Sequence, residues 1–241
     1  MSRDVQPSSF GLRSVALLEG LSHERLESLA RGCAWRLYGA AREIITRDAH
    51  DDSIYLIVSG RVRVTTYAAS GRQVTLRDIA AGEHFGELSA IDGMRRSADV
   101  LALESSLLAS MRPEVFWKLL REEPLVSARL LKGLASLVRR LSDRVLDLST
   151  LGVSQRVRAE LLRLAREAGM VDNTARIEPI PRYADIAGLV STSREQVTRE
   201  CMALMKAGIL ERVGHSLVVR DIAQLERLIE EDREHGGGHH H

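Results

Sequence analysis

The chemistry available to this sequence is concentrated in two short segments, the first of which ends before residue 100. Arg96 carries a planar fork of N–H donors that can hold a phosphate at two points, and Ser97 adds a hydroxyl donor. Glu87 can accept a hydrogen bond from a sugar hydroxyl. The small residues Gly86 and Ala98 let backbone N–H groups approach an anion closely. A cyclic nucleotide presents these two groups, a phosphodiester anion and a ribose 2′-hydroxyl, so the segment predicts such a ligand.

The specificity of this first segment comes from the spacing of its two halves. Gly-Glu-Leu alone is a common tripeptide, but here Arg-Ser-Ala begins eight residues after its leucine, following a run of strand-like sequence. The alternative interpretation is a structural ion pair between Glu87 and Arg96 beside a turn, because charged partners on loops are common. His84, next to the segment, is predicted to be a satisfied surface residue rather than a ligand. The candidate site residues are Gly86, Glu87, Leu88, Arg96, Ser97 and Ala98.

The second segment, residues 183–199, has the pattern of two short helices joined by a turn at residues 188–192. Ser193 is of the type that caps a helix N-terminus. Arg194, Glu195 and Arg199 follow it at a spacing that lets all three side chains face one groove. Arginine can bind O6 and N7 of guanine, and glutamate can accept from N4 of cytosine. The pattern therefore predicts the recognition helix of a helix-turn-helix, an ordinary charged helix face being the alternative. Its candidate DNA-binding residues are Thr192, Ser193, Arg194, Glu195 and Arg199, with Lys206 as a further phosphate contact.

Short strands should position the first segment. The run 54–58 is wholly apolar, and Arg61–Thr65 alternates polar and apolar residues as a half-buried strand does. Further strands are predicted at 74–77 and 99–103, with turn signals such as Ser70-Gly71 between them. This spacing indicates an all-β sandwich or barrel. A short helix capped by Ser22 is predicted before it, through residue 30.

A long helix is predicted at 125–148, after the sequence changes character at Pro113. Its apolar residues recur at intervals of 4, 3, 4, 4 and 3, namely Leu130, Leu134, Leu137, Leu141, Val145 and Leu148. Such a stripe is typical of a coiled-coil seam. Packing on the helix's own domain is the alternative; the length of the stripe favours a symmetric homodimer.

The last third should place the second segment in a winged helix-turn-helix. The residues 153–168 have helical periodicity, and Gly208 has the position of a glycine that ends a helix. The runs 209–213 and 216–219 flank Gly214-His215 as a β-hairpin would.

Composition narrows the function classes. The 44% hydrophobic and 28% charged residues are typical of a soluble globular protein, and a net charge of +1 argues against a histone-like binder. Cys33 and Cys201 are far apart, so no metal site is predicted and a reducing compartment is favoured. With no apolar stretch long enough to span a bilayer, we expect no membrane partner and a cytoplasmic location. The terminal 236–241 read as a linker and an affinity tag.

Together, the two segments resemble those of the CRP/FNR family of bacterial regulators, over nearly the whole chain from about residue 17 to 219. The resemblance implies an α+β protein: an N-terminal β-roll (jelly-roll) cyclic nucleotide-binding domain at 1–112, a linker and dimerisation helix at 113–149, and a C-terminal winged helix-turn-helix at 150–235. In members with an intact first segment, the residues matching Gly86 to Ala98 hold the ribose and the cyclic phosphate. The matching Arg194, Glu195 and Arg199 read a TGTGA-type half-site of a palindromic operator.

The identity of the base in the nucleotide depends on the dimer helix. In cAMP-binding members a Thr-Ser pair contacts adenine, and Leu141-Ser142 match that pair here. Leucine cannot hydrogen-bond to an amino group, which costs about 1 kcal/mol. This small loss weakens cAMP as a candidate but does not exclude it. We expect cAMP as effector, with cGMP, cyclic di-GMP or no effector as alternatives. The protein is expected not to be an enzyme, since the sequence has no phosphate-binding loop or nucleophile elbow. The family resemblance further implies contact with RNA polymerase. A regulatory subunit of an enzyme is the alternative class.

Overall fold

The computed structural model describes residues 3–67 and 73–235; the predicted Ser70-Gly71 turn and the predicted tag lie outside this part of the chain. The chain divides into two units, Met1–Leu137 and Val138–His241. The boundary falls within the long helix, and the units are described in turn.

The first unit consists of strands framed by helices. In chain order it contains β1 (Arg3–Asp4), α1 (Ser9–Leu12), a 3-10 turn (Ala16–Leu18), α2 (His23–Gly32), β2 (Ala34–Tyr38), β3 (Glu43–Ile45), β4 (Ile54–Ser59), β5 (Arg61–Tyr67), β6 (Gln73–Ala80), β7 (His84–Phe85), α3 (Glu87–Asp92), β8 (Asp99–Ala102), β9 (Ser106–Met111), α4 (Pro113–Glu122) and α5 (Pro124–Thr150), the last of which continues into the second unit. The predicted strands and the helix capped by Ser22 are confirmed, the Ser22 hydroxyl accepting from the Arg25 backbone N–H.

Two antiparallel sheets form the β-roll, with strand orders β1-β2-β9-β4-β7 and β3-β8-β5-β6. The strand β4 is apolar over residues 54–58 because one face packs between the sheets, where Ile57 is buried, and the other packs under the helices, where Leu56 is buried. Tyr55 lies opposite Phe85 in the β4–β7 pairing. This register places the start of β4 beside the end of β7, where the first candidate segment begins.

The second unit is a small α/β domain. It contains α6 (Val153–Ala168), β10 (Met170–Val171), β11 (Thr174–Ile177), α7 (Tyr183–Leu189), α8 (Arg194–Lys206), β12 (Leu210–Val213), β13 (Ser216–Val219) and α9 (Ile222–His235). The sheet order is β10-β11-β13-β12, so the predicted terminal hairpin is confirmed as part of a larger sheet. The helix α9, which was not predicted, packs through Ile222, Leu225 and Ile229 into the core of this unit.

The long helix α5 corrects one expectation about its apolar stripe. Leu130 is only 4% exposed and Leu134 packs beside it, both in the hydrophobic core of the first unit. The alternative interpretation, in which α5 packs on its own domain, is therefore correct for the turns that contain Leu130 and Leu134. Further along, Leu141 is 47% and Val145 64% exposed, so the stripe lies open there. A predicted dimer seam is thus confined to the later turns of α5.

Candidate functional site

The first candidate segment begins at a glycine whose conformation other residues rarely adopt. Gly86 is the N-cap of α3 with φ of 84°, in the left-handed region that favours glycine. A Cβ at this position would lie 2.7 Å from Nη1 of Arg96 and 2.9 Å from the carbonyl oxygen of Ser53. Only a residue without a side chain therefore lets these three groups meet, which explains the glycine of the motif.

Arg96 is held inside the domain with its guanidinium almost fully buried, at 3% exposure. Its Nη1 donates to the carbonyl of Gly86 at 3.0 Å, and its Nη2 donates to the carbonyl of Ser53 at 2.6 Å. Nη2 also donates to Oδ2 of Asp51 at 2.9 Å. The buried Nε has no hydrogen-bond partner among the described residues. A buried donor without a partner costs free energy, which an acceptor placed at Nε would recover.

The carboxylate of Asp51 is fixed by its own neighbours. The backbone N–H of Ser53 donates to Oδ1 at 3.0 Å, and the Tyr55 hydroxyl donates to Oδ2 at 2.7 Å. Burial raises the pKa of Asp51, but these hydrogen bonds and Arg96 outweigh it and hold that pKa below its usual range. The Tyr55 ring stacks on Phe85, with centroids 5.0 Å apart, and the guanidinium carbon of Arg96 lies 5.7 Å from the Tyr55 centroid.

The alternative interpretation of the segment was an ion pair between Glu87 and Arg96. In the structure, Arg96 forms its salt bridge with Asp51 instead. Glu87 is buried in the first turn of α3 and Ala98 is buried as well, whereas Leu88 and Ser97 are exposed. His84 is half-buried where β7 pairs with β4, and burial lowers its pKa.

A cavity of about 650 Å³ opens beside Arg96. Its size falls in the range of small-molecule sites. Its charged lining is mainly basic and includes Arg47, Arg95 and Arg96, with Asp48 as the acidic member. Ser97 also lines it. The two halves of the segment therefore meet in the structure. Gly86 of the first half contacts Arg96 of the second half, and Arg96 and Ser97 both line the cavity. Leu141 and Ser142 are exposed residues of α5 and belong to the other unit.

The second candidate segment forms two helices, α7 and α8. The Ser193 side chain accepts from the Gln196 N–H at 3.3 Å, so its predicted capping role is confirmed. The predicted position of the turn needs a correction, because Gly188 lies inside α7, which continues to Leu189. Ser191, with φ of 55°, makes the reversal instead.

The outer face of α8 carries the predicted reading residues. Arg194, Glu195 and Arg199 are exposed, whereas Thr192 is half-buried. The Glu195 backbone N–H and the Ser193 hydroxyl hold the pKa of Glu195 below its usual value, so at neutral pH this carboxylate is an acceptor only. The face combines donors and an acceptor of the kinds that read base edges.

An ion pair that the sequence analysis missed fixes α8 to its neighbours. Arg158 of α6 donates through Nε to Oε1 of Glu200 at 2.6 Å and through Nη1 to the carbonyl of Leu228 in α9 at 2.9 Å. Both side chains are largely buried. The sequence of α8 alone does not show whether a charged residue such as Glu200 fixes the helix to its neighbours or faces outward to contact DNA.

We expect Glu200→Ala to destabilise the second unit by about 1–2 kcal/mol, because it leaves a largely buried arginine with fewer partners. Thermal unfolding followed by circular dichroism measures the loss. Glu226→Ala is the matched control, since Glu226 makes an exposed ion pair with Arg166. Equal effects of the two substitutions would contradict an anchoring role for Glu200.

Among the described residues, no helix combines the length and the apolar character that a membrane crossing needs. Nor does this part of the chain gather three or more His, Cys, Asp or Glu side chains in a group that could hold a metal ion.

Comparison with known proteins identifies both units. Residues 35–123 match the model of the cyclic nucleotide-binding domain, and residues 155–228 match the Crp-like helix-turn-helix domain. The chain is 31% identical over 222 residues to the cyclic AMP receptor protein of Thermus thermophilus, covering 90% of this chain and 98% of that one. It is 30% identical over 217 residues to a CRP-like cAMP-activated global transcriptional regulator of Mycobacterium tuberculosis, covering 90% and 97%. A CooA mutant from Carboxydothermus hydrogenoformans shares the fold, with a TM-score of 0.77 at 22% identity over 94% of this chain and 98% of the other.

A β-roll of the cyclic nucleotide-binding type, a long helix and a Crp-like helix-turn-helix define a ligand-responsive regulator of transcription. The chain belongs to the CRP/FNR family of regulators, as its relatives over nearly the full length show. Members of this family act on DNA and are not enzymes.

Proposed function

We propose that this regulator binds a cyclic mononucleotide, with cAMP as the first candidate, and that binding controls its affinity for a palindromic DNA operator. The observation that carries the proposal is the buried guanidinium of Arg96, which has an unsatisfied Nε–H and lies against the Gly86 backbone and a basic cavity. Two relatives that match over 90% of this chain, one named as a cyclic AMP receptor protein and the other as a cAMP-activated regulator, support the choice of cAMP.

The residues of the first segment divide the recognition of the nucleotide between them. Arg96 and Ser97 would hold the cyclic phosphate, and the close backbone approach at Gly86 and the small Ala98 would leave room for it. Glu87 would accept from the ribose hydroxyl, and Leu88 completes the proposed site. Leu141 and Ser142 would lie near the base, where only Ser142 can hydrogen-bond.

Calorimetry of the full chain with cAMP, cGMP and cyclic di-GMP tests this proposal. We expect heat of binding for cAMP and for cGMP, and the ratio of the two affinities measures the base preference of the site. A chain that gives no heat with any of the three nucleotides, at concentrations up to millimolar, has no such site.

A second candidate is an effector-independent regulator, which the existing salt bridge between Arg96 and Asp51 favours. In that case the pair would be a structural element, and DNA affinity in a gel-shift titration would be the same with and without nucleotide.

The proposed DNA-binding form is a symmetric homodimer held by the later turns of α5, where Leu141, Val145 and Leu148 are exposed. A dimer would cover this apolar stripe and place two copies of α8 about 34 Å apart, in successive major grooves. A TGTGA-type palindrome with half-sites one turn apart is the expected operator, with RNA polymerase as the downstream partner.

We expect Val145→Asp with Leu148→Asp to convert the dimer into monomers, because each charge would have to be buried in the apolar seam. Sedimentation velocity at micromolar concentration measures the state. Leu146→Asp is the matched control, since Leu146 is 56% exposed and lies about 100° or more around the helix from both residues. A wild-type chain that sediments as a monomer, or an equal loss from Leu146→Asp, would refute this seam.

A further inference from the structure

The guanidinium of Arg96 is already engaged by an anion of the chain itself. Of its five N–H donors, the one on Nε is unpartnered, one on Nη1 binds the Gly86 carbonyl, and those on Nη2 serve Asp51 and the Ser53 carbonyl. The salt bridge joins residues 45 positions apart and lies between the start of β4 and the end of the first segment.

The geometry of a guanidinium makes Nη2 the decisive atom. A planar guanidinium can donate two parallel N–H groups along either of two edges, one formed by Nε and Nη2 and the other by Nη1 and Nη2. Both edges include Nη2, so a phosphate can clamp Arg96 at two points only by taking a donor from Asp51 or from the Ser53 carbonyl. The carbonyl is neutral, whereas the carboxylate of Asp51 repels a second anion at the same place.

Asp51 is positioned before any ligand arrives. The Ser53 N–H and the Tyr55 hydroxyl hold its two oxygens, while its side chain remains 38% exposed and is therefore open to displacement. A loosely held surface carboxylate would yield to a phosphate at little cost. Asp51 is instead held by the Ser53 N–H and the Tyr55 hydroxyl as well as by Arg96. Breaking its contact with Arg96 therefore costs free energy, which makes nucleotide binding weaker.

We propose that Asp51 is an affinity-determining residue of the nucleotide site: its carboxylate occupies the Arg96 fork as a built-in competitor, which the cyclic phosphodiester must displace or share. The inference rests on the proposed function of this site and adds the way in which its affinity is set. It implies that nucleotide affinity is lower than the segment alone would provide.

The isosteric variant Asp51→Asn tests the proposal directly. The amide oxygen can take the place of Oδ1 and accept from the Ser53 N–H, and the amide NH2 can donate to the Tyr55 hydroxyl, while the negative charge beside Arg96 is gone. We expect cAMP or cGMP to bind about tenfold more tightly or better, because like charges side by side in a binding site oppose association strongly. Asp51→Ser should show the same direction and serves if the amide perturbs folding, which circular dichroism monitors in both variants.

Two further measurements show whether the effect passes through Arg96. Asp52→Asn makes the same change of charge one residue away, at an exposed side chain with no ion pair to Arg96 among the described residues, and should change the affinity less than twofold. In an Arg96→Ala background, Asp51→Asn should bring no gain, since its partner is absent.

The outcomes separate this inference from the proposed function. If the wild type binds nucleotide and Asp51→Asn binds equally or more weakly, Asp51 only orients Arg96 and the competitor role is wrong. A gain that persists in the Arg96→Ala background overturns the role as well. If the wild type shows no heat but Asp51→Asn binds, the proposed function of the wild-type chain fails, whereas the competitor role of Asp51 holds. If neither protein binds cAMP or cGMP, both ideas fail.

Discussion

Replacing Arg96 with alanine is expected to weaken cyclic nucleotide binding about 30- to 150-fold, which corresponds to about 2–3 kcal/mol for a charge-assisted contact. Arg96 is the buried cation of the proposed site, and its guanidinium joins Gly86, the start of β4 and the basic cavity. Calorimetric titration of wild type and variant with cAMP measures the ratio of dissociation constants.

The neighbouring arginine provides the control for this experiment. Arg95 lines the same cavity and Arg95→Ala removes the same charge, but Arg95 is exposed. Its substitution should therefore act only through long-range attraction and fade as salt is added. Arg96→Lys keeps the charge and loses the planar fork, so it should recover only part of the affinity. An Arg96→Ala protein that binds as tightly as wild type would refute the assignment.

The second large effect is expected at the DNA. Glu195→Ala should relax the preference at one base pair of each half-site, reducing discrimination there by about 1–3 kcal/mol. The reason is that Glu195 is exposed at the start of α8 and its lowered pKa keeps it a pure acceptor, suited to the amino group of cytosine. Gel-shift titrations against a TGTGA-type palindrome and its single-base variants, at fixed salt and saturating nucleotide, measure this change.

Lys206 gives the contrasting behaviour. It lies at the other end of α8, is exposed, and can reach only phosphates if the N-terminal half of the helix reads bases. Lys206→Ala should weaken operator and random DNA alike and reduce the slope of log affinity against log salt by about 1. If Glu195→Ala also weakens all sequences equally, its role as a base reader is wrong.

Local sequence patterns were sufficient where the structure is local. The cap at Ser193, the end of α8 before Gly208 and the hairpin around Gly214 depend on neighbours within a few residues, and all three are present. The alternation in β5 and the long helical period of α5 likewise predicted the correct element types.

The missed features depend on long-range contacts. Asp51 meets Arg96 because β4 pairs with β7, a register that no pattern in the loop before β4 reveals. Glu200 meets Arg158 across the packing of two helices, and an acidic residue in a charged segment looks the same whether it is anchored or free.

The stripe on α5 shows a different limit of sequence reasoning. Periodicity indicates which residues share a face of the helix, but not what covers them. Leu130 and Leu134 are covered by the helices and strands of the first unit, whereas Val145 is not covered by the described part of the chain. One continuous pattern therefore serves two purposes, and the point of change becomes visible only in the folded domain.

The ion pair between Arg158 and Glu200 has a consequence for how such a regulator can be switched. It joins α8 to α6, and the same arginine binds the carbonyl of Leu228 in α9, so a movement of α8 against these two helices would break both contacts. A signal that reaches α6 must then carry the reading face as an undistorted whole. Switching would change how often the two reading faces engage an operator, while the ranking of one operator sequence over another stays the same. In such a switch, the strength of regulation and the choice of target would be separately adjustable quantities.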